Sequence, residues 1–386
     1  MSQIDLLEEV PHLHIIAERD VLNAWKTYRV SEKTRQLGCE AGREIFAEAI
    51  TFRGAEDVSE CGPMPKGLDC AQQIVFGYEL DVELPLLKLL LIENDTFWKR
   101  VAKAKVKSPV EYMQMERQAD ICWKDIGVAL KVAEAIETEP VEYWFEGDLE
   151  DTVQQSAPFV KQLKITQLQA LRQIEPFEGY EEYKVYNVPH EMCSHGSLEI
   201  LKHLDNLTSL SIIFGVDDVA KAYERRFFQL SQEDIVNLVK ALKKLPNLTH
   251  FKISRSRLDS EKLKPLLLQL SNISLECLEL PYCYLGEQCG ILLGRYISKC
   301  PAALKSINLS GNFIDGMEME NFCYGINVFQ GVLEKLDISH NPIGEAGVLV
   351  LGGGVKNLPH IQELDVTGCE MDEQGAYRVS QIKCKV

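Results

Sequence analysis

The chain has 386 residues, 46% of them apolar, and sets 41 Lys and Arg against 58 Asp and Glu for a net charge of -17. That length exceeds one ordinary domain and the apolar content is ample for a core, while the acidic balance argues against a generic nucleic-acid surface. Twelve cysteines without a paired CxxC spacing, and no signal-like N-terminal apolar run, point to free thiols in a reducing compartment.

In chain order, residues 1–150 show no strand repeat and read as a helical region, with helices expected over 6–28, 32–50, 84–106 and 116–136 and a Gly/Pro-containing loop over 54–67. The longest apolar run, residues 84–92, is interrupted by Lys88 and is too short to span a bilayer, so a soluble protein is expected. Lys99, Arg100, Lys103, Lys105 and Lys107 form a basic run without an acid inside it. Residues 134–151 carry eight carboxylates and no Lys or Arg, an acidic linker at the end of the helical region. Two solvated faces are the plain reading, and an acidic protein surface against the basic run is the sharper one.

From 151 onward the pattern changes. An aliphatic, two residues, an aliphatic, one residue, an aliphatic, then a small polar residue and a closing aliphatic recur as Leu248, Phe251, Ile253, Ser256, Leu258; Leu275, Leu278, Leu280, Cys283, Leu285; Leu304, Ile307, Leu309, Asn312, Ile314; Leu333, Leu336, Ile338, Asn341, Ile343; and Ile361, Leu364, Val366, Cys369, Met371. The steps of 27, 29, 29 and 28 residues hold one strand and one helix each, which is a leucine-rich repeat. Weaker copies open at Leu207, Leu210, Ile212 and at Val160, Leu163, Ile165, Leu168. The expected fold class is α/β: a ribonuclease-inhibitor-like solenoid over 151–386, with a parallel concave sheet from about Phe159 and convex helices, preceded by the all-α region.

Alternation sends the frame aliphatics inward, where only stacked neighbours bury them. Asn312 and Asn341 sit at the strand exit, where a buried amide can bond free backbone groups, and Cys283 and Cys369 share the slot as structural thiols. Ser231 and Asp234 form a capping-box variant ahead of Ile235, Leu238, Val239 and Leu242, on a helix ending near Lys243. Later helices are expected around 266–270, 291–297 and 348–351, with Gly352, Gly353 and Gly354 ending the last of these and a short closing helix over 373–382.

Two insertions, 169–206 and 213–230, break the period. The second holds Tyr223, Arg225, Arg226, Phe227 and Phe228, a mixture enriched at interface hot spots that serves equally well as a core plug. The outward strand positions run from His250, Lys252 and Ser254 through Cys277, Glu279, Pro281, Ser306, Asn308, Ser310, Lys335, Asp337 and Ser339 to Glu363, Asp365 and Thr367. With Arg255 and Arg257, this face passes from basic to acidic, so Lys252, Arg255, Arg257, Arg225, Arg226, Phe227, Phe228, Asp337 and Asp365 are the candidate protein-interface residues.

No catalytic constellation is legible and no cofactor is implied. His190, Cys193 and His195 match no standard metal spacing, and HEMCSH is not HExxH.

Three stretches carry a family resemblance. Leu84-Pro85-Leu86 with Leu91-Ile92-Glu93, Phe97-Trp98 and Trp123-Lys124 is similar to the helical N-terminal region of the dynein regulatory complex subunit 5 family, the t-complex-associated testis-expressed leucine-rich-repeat proteins of cilia and flagella. Residues 207–243, with Asp217 and Asp218 after a strand, resemble that family's extended first repeat. Phe251-Lys252-Ile253-Ser254-Arg255-Ser256-Arg257-Leu258-Asp259 resembles its next strand and turn most specifically. The likeness covers most of residues 70–345. On this resemblance the sequence is expected to depart from the family in its long N-terminal leader and in the number of repeats after Met371.

The resemblance implies a non-enzymatic scaffold subunit of the nexin-dynein regulatory complex, in the cytoplasm and cytoskeleton at the axoneme of cilia or flagella. It would help regulate dynein-driven motility and bind other linker subunits, some themselves leucine-rich-repeat proteins, and doublet microtubule or dynein surfaces, without nucleic acid or membrane. Two other classes compete. An F-box-like substrate receptor of a ubiquitin ligase is suggested by Leu84-Pro85 and Cys122-Trp123 ahead of repeats. A GTPase-activating protein of the Ran type shares the repeat length, but this chain ends Lys383, Cys384, Lys385, Val386 rather than in an acidic tail.

Overall fold

The computed structural model describes residues 86–90, 92–117, 121–138, 148–168, 195–215 and 228–371, with positions 178, 373 and 377. The helices expected over 6–28 and 32–50, the loop over 54–67 and most of the closing helix lie outside the described residues, although Glu373 and Tyr377 are themselves helical.

The first described elements are α1 (Leu86–Leu89), α2 (Asp95–Lys105), α3 (Pro109–Glu116) and α4 (Trp123–Thr138). The chain divides into two compact units at Lys131/Val132, within α4. The single helix expected over 84–106 is therefore two. Asn94 takes an extended conformation and its side chain accepts the N–H groups of Thr96 and Phe97, starting a new helix. Likewise the helix expected from 116 begins at Trp123, while Ser108 caps a separate α3 with Pro109 in its first turn. Trp98 anchors the first unit: it is fully buried, its Nε1 donates to Ile92 O at 2.8 Å, and Phe97 meets it edge-on at 5.2 Å. Gly127 admits the indole, since a Cβ there would lie 2.4 Å from the ring. Beside it Lys124 donates to Leu90 O at 2.8 Å and pairs with Glu93, which satisfies its buried ammonium.

In the second unit α5 (Asp148–Ser156) leads into a seven-stranded sheet: β1 (Gln162–Leu168), β2 (Ser209–Phe214), β3 (His250–Ile253), β4 (Cys277–Glu279), β5 (Ser306–Asn308), β6 (Lys335–Asp337) and β7 (Glu363–Asp365). Every pairing is parallel and the order is sequential. Parallel neighbours require a crossover; helices α6 (Gln232–Leu242), α7 (Ser260–Leu270), α8 (Cys289–Lys299), α9 (Gly316–Val328) and α10 (Gly344–Val355) provide it from β2 to β7, and the connection from β1 to β2 carries a 3-10 helix, Leu198–His203. The fold is a leucine-rich-repeat solenoid. Its registers align the frame residues: Leu210, Phe251, Leu278, Ile307, Leu336 and Leu364 form one row, each at most 2% exposed. Burying each such side chain is worth ~1.5–3 kcal/mol, and none of it is available to a lone repeat.

The helix layer has its own fit. Ser231 and Asp234 form the full capping box, and Asp259 and Asp315 cap α7 and α9. Gly294 on α8 meets Gly325 on α9, where a Cβ on Gly325 would lie 2.3 Å from Gly294 O. Gly352, Gly353 and Gly354 do not terminate α10; it continues through them to Val355, with Gly354 buried against Cys323.

Candidate functional site

Three layers of the repeat edge concern function: a buried polar ladder, the exposed sheet face, and the turns where strands end.

The ladder runs through Ser256, Cys283, Asn312, Asn341 and Cys369, all buried. Asn312 Oδ1 accepts Cys283 N–H at 2.7 Å, and its Nδ2 donates to Leu280 O and Leu309 O. Asn341 Oδ1 accepts the N–H groups of Asn312 and Ile314 at 2.8 and 3.0 Å, and its Nδ2 donates to Leu309 O, Ile338 O and Ser339 O. Ser256 Oγ accepts Phe214 N–H, while the thiols of Cys283 and Cys369 donate back to Ile253 O and Ile338 O. Each slot thus ties its repeat to the one before. Burial pushes the Cys283 thiol up to about 12, and the Cys289 and Cys323 thiols to about 12 as well, helped at Cys289 by the Glu318 carboxylate. These are inert positions rather than nucleophiles.

On the sheet face one row reads Lys164, Ser211, Lys252, Glu279, Asn308, Asp337, Asp365 in register. The basic-to-acidic order lies along it, but much of the charge is engaged. Lys252 pairs with Glu279 at 2.5 Å, and Lys335 pairs with Glu363 at 2.8 Å. Asp337 Oδ2 accepts from Asn308 Nδ2, and its Oδ1 accepts from both the N–H and the hydroxyl of Ser339. Asp365 is exposed and accepts Thr367 N–H. The third outward positions expected from alternation are not open: Ser254, Pro281, Ser310 and Ser339 are buried and only Thr367 is exposed. The strands end one or two residues earlier, and the hydroxyls of Ser310 and Ser339 turn in to bond Asn308 and Asp337.

Beyond the strands, the residue preceding each ladder slot is left-handed: Arg255, Tyr282, Gly311, His340 and Gly368 have φ of 51, 56, 65, 57 and 69°. Tyr284 and Phe313, just after the slot, have φ of 50 and 59°. Tyr282 lies over Gly311, where a Cβ would be 2.3 Å from its ring, and His340 lies over Gly368 in the same way, so each glycine makes room for the large side chain of the repeat before. Arg257 stacks its guanidinium 5.1 Å from the Tyr284 ring, which meets Phe313 at 5.2 Å and 62°. Tyr282, Tyr284 and Phe313 are 53%, 49% and 69% exposed. The repeat frame does not single out these three rings.

Of the insertion residues, Arg225, Arg226 and Phe227 lie outside the described residues, as do His190 and Cys193. Phe228 is half-buried, its carbonyl accepts Arg257 N–H at 3.1 Å, and Gln229 bridges Arg257 in parallel, so the insertion returns beside the β3 exit. His195 is buried on Phe214 with Nδ1 2.9 Å from Asp234 Oδ2, and its backbone N–H donates to Asp234 Oδ1, a structural pairing with the carboxylate of the α6 capping box. Among the described residues no group of three or more His, Cys, Asp or Glu is placed to hold a metal. No helix of the described residues is long and apolar enough to cross a membrane. In the basic run, Lys99 pairs with Glu116 at 2.8 Å and lies 5.3 Å over the Trp123 ring.

The repeat architecture is matched independently, residues 332–352 and 357–380 fitting the Leucine Rich repeat family model. The chain is similar to Dynein regulatory complex subunit 5. That Chlamydomonas reinhardtii protein is 25% identical over 205 residues, a match covering 53% of this chain and 44% of the relative, so it spans under half of that protein's length. Among solved structures, the tropomodulin C-terminal domain of Caenorhabditis elegans matches 50% of this chain and 90% of its own at 12% identity and TM-score 0.30. An internalin from Listeria monocytogenes matches 64% and 96% at 12% identity and TM-score 0.22.

Proposed function

We propose that this chain is a non-enzymatic scaffold subunit of the axonemal nexin-dynein regulatory complex, binding other linker subunits through its repeats. The observation that carries the reading is the 205-residue likeness to Dynein regulatory complex subunit 5. The fold supports it with a surface suited to protein contact: an exposed parallel sheet with a charge-ordered row, beginning at Lys164 and Lys252 and ending at Asp337 and Asp365. Such a row orients an extended partner and governs encounter more than final affinity. Asp337 is internally satisfied, so the exposed Arg255, Arg257 and Asp365 are the charges available to a partner, with Phe228 beside Arg257 as the apolar neighbour. Tagged protein is expected along the axoneme, and reversing charge at Lys252, Arg255 and Arg257 is expected to release linker subunits in a pull-down from cells. A diffuse signal would refute the location, and unchanged co-purification would refute this docking face.

A further inference from the structure

The turn edge holds a feature the repeat does not need. Its left-handed slots accept glycine, as Gly311 and Gly368 show, and an L side chain there costs about 1–2 kcal/mol per residue. Yet Tyr282, Tyr284 and Phe313 occupy such positions with about half or more of each residue in solvent, where little burial offsets that cost. Arg257 lies on Tyr284 and Tyr284 meets Phe313, while Tyr282 covers Gly311 in the repeat that carries Phe313. Arg255 and Arg257 are exposed and form no ion pair among the described residues, in a chain of net charge -17. The nearest carboxylate after them in the chain, Asp259, caps α7 and pairs with Lys262. Among the described residues, no carboxylate at the start of this edge pairs with the two guanidinium groups.

We infer that the ridge of Tyr282, Tyr284 and Phe313, flanked by Arg255 and Arg257, docks an extended acidic segment of a partner protein. Its carboxylates pair with the two guanidinium groups and its apolar side chains lie on the rings. Charge complementarity selects this occupant: the arginines require anions, and planar exposed rings with a stacked guanidinium suit the alternate side chains of an extended strand. The scale fits, because three neighbouring repeats place the ridge over ~10 Å at ~4.8 Å per strand, a span that about three or four extended residues cover. The inference holds for any host assembly, so it stands apart from the axonemal reading.

The probe is a labelled, end-blocked peptide of alternating Glu and Leu, about eight residues long, titrated with the full chain in fluorescence anisotropy. A Lys–Leu counterpart and phosphatidylserine vesicles are run alongside. Saturable binding of the acidic peptide is expected, at least ~10-fold weaker for Arg257→Glu and for the double variant Tyr284→Gly with Phe313→Gly, with no binding of the Lys–Leu peptide. Because glycine relieves the left-handed strain, that double variant should melt at or above the parent temperature. Absent or variant-independent peptide binding overturns the inference, as does equal binding of the Lys–Leu peptide. A lower melting temperature of the glycine variant would make the rings structural. Sedimentation with vesicles but no peptide binding would assign the ridge to an anionic lipid surface instead.

Discussion

Replacing Asn341 by Leu tests the ladder most directly. The side chain makes five hydrogen bonds, but they are not equal. Leu309 O keeps a bond from Asn312 Nδ2, Ile338 O keeps one from Cys369 Sγ, and Ser339 O keeps the Gly311 N–H. Asn312 N–H and Ile314 N–H have Asn341 Oδ1 as their acceptor, so both become buried donors without a partner. At ~1–3 kcal/mol for each orphaned group, the expected loss is about 2–6 kcal/mol. For a domain of this size that is roughly 4–24 °C in melting temperature. Solenoids lose stability locally, so the loss should concentrate in the repeats of β5, β6 and β7, with amide exchange accelerated there before β2 and β3. The control is Asn357→Leu, at an exposed site bonded to Asn327, expected within about 0.5 kcal/mol of the parent. A melt of Asn341→Leu within about 1 °C of the parent, with unchanged exchange at Asn312 and Ile314, would refute the reasoning.

The other predictions concern glycines and thiols. Gly325→Ala drives a methyl into Gly294 and should destabilise by about 1–3 kcal/mol in urea unfolding, whereas Gly352→Ala, with nothing within 4 Å, should gain about 0.5–1 kcal/mol; a reversed order would show that α8 and α9 are not packed through their glycines. With Cys283, Cys289 and Cys323 pushed up to about 12, their thiolate fraction at pH 8 is ~10⁻⁴ and burial blocks access, so iodoacetamide should label exposed Cys122 in the native protein and those three only after unfolding.

The repeats are legible in the sequence because stacking imposes one demand many times. A frame position such as Leu278 or Leu336 must be aliphatic in every copy, and repetition turns a weak local preference into a period. The capping box at Ser231 is readable for a similar reason, since both partners lie within one turn. Long-range substitutes for local rules are not. Helix α8 has Gln288 at its N-cap without a side-chain bond, and its free N–H groups at Gln288 and Gly290 are instead accepted by Glu318 from the next repeat. The break at Asn94 falls in the polar stretch Glu93-Asn94-Asp95-Thr96, just past the apolar run of residues 84–92, and a pattern averaged over 84–106 conceals that one-residue cap. The aromatic ridge is hidden most deeply, because tyrosine and phenylalanine are poor markers of left-handed turns, and only the backbone reveals that Tyr282, Tyr284 and Phe313 share them.

The ladder also makes the solenoid mechanically uneven. Between β5 and β6 the tie is amide to amide, with Asn341 holding two N–H groups and three carbonyls. Toward either end the slot passes to a thiol, a weaker donor and acceptor, at Cys283 and at Cys369. A load applied along or across the stack therefore meets a stiff centre between more compliant flanks. Flexing concentrates at β3–β4 and at β7, and the middle repeats move as one block.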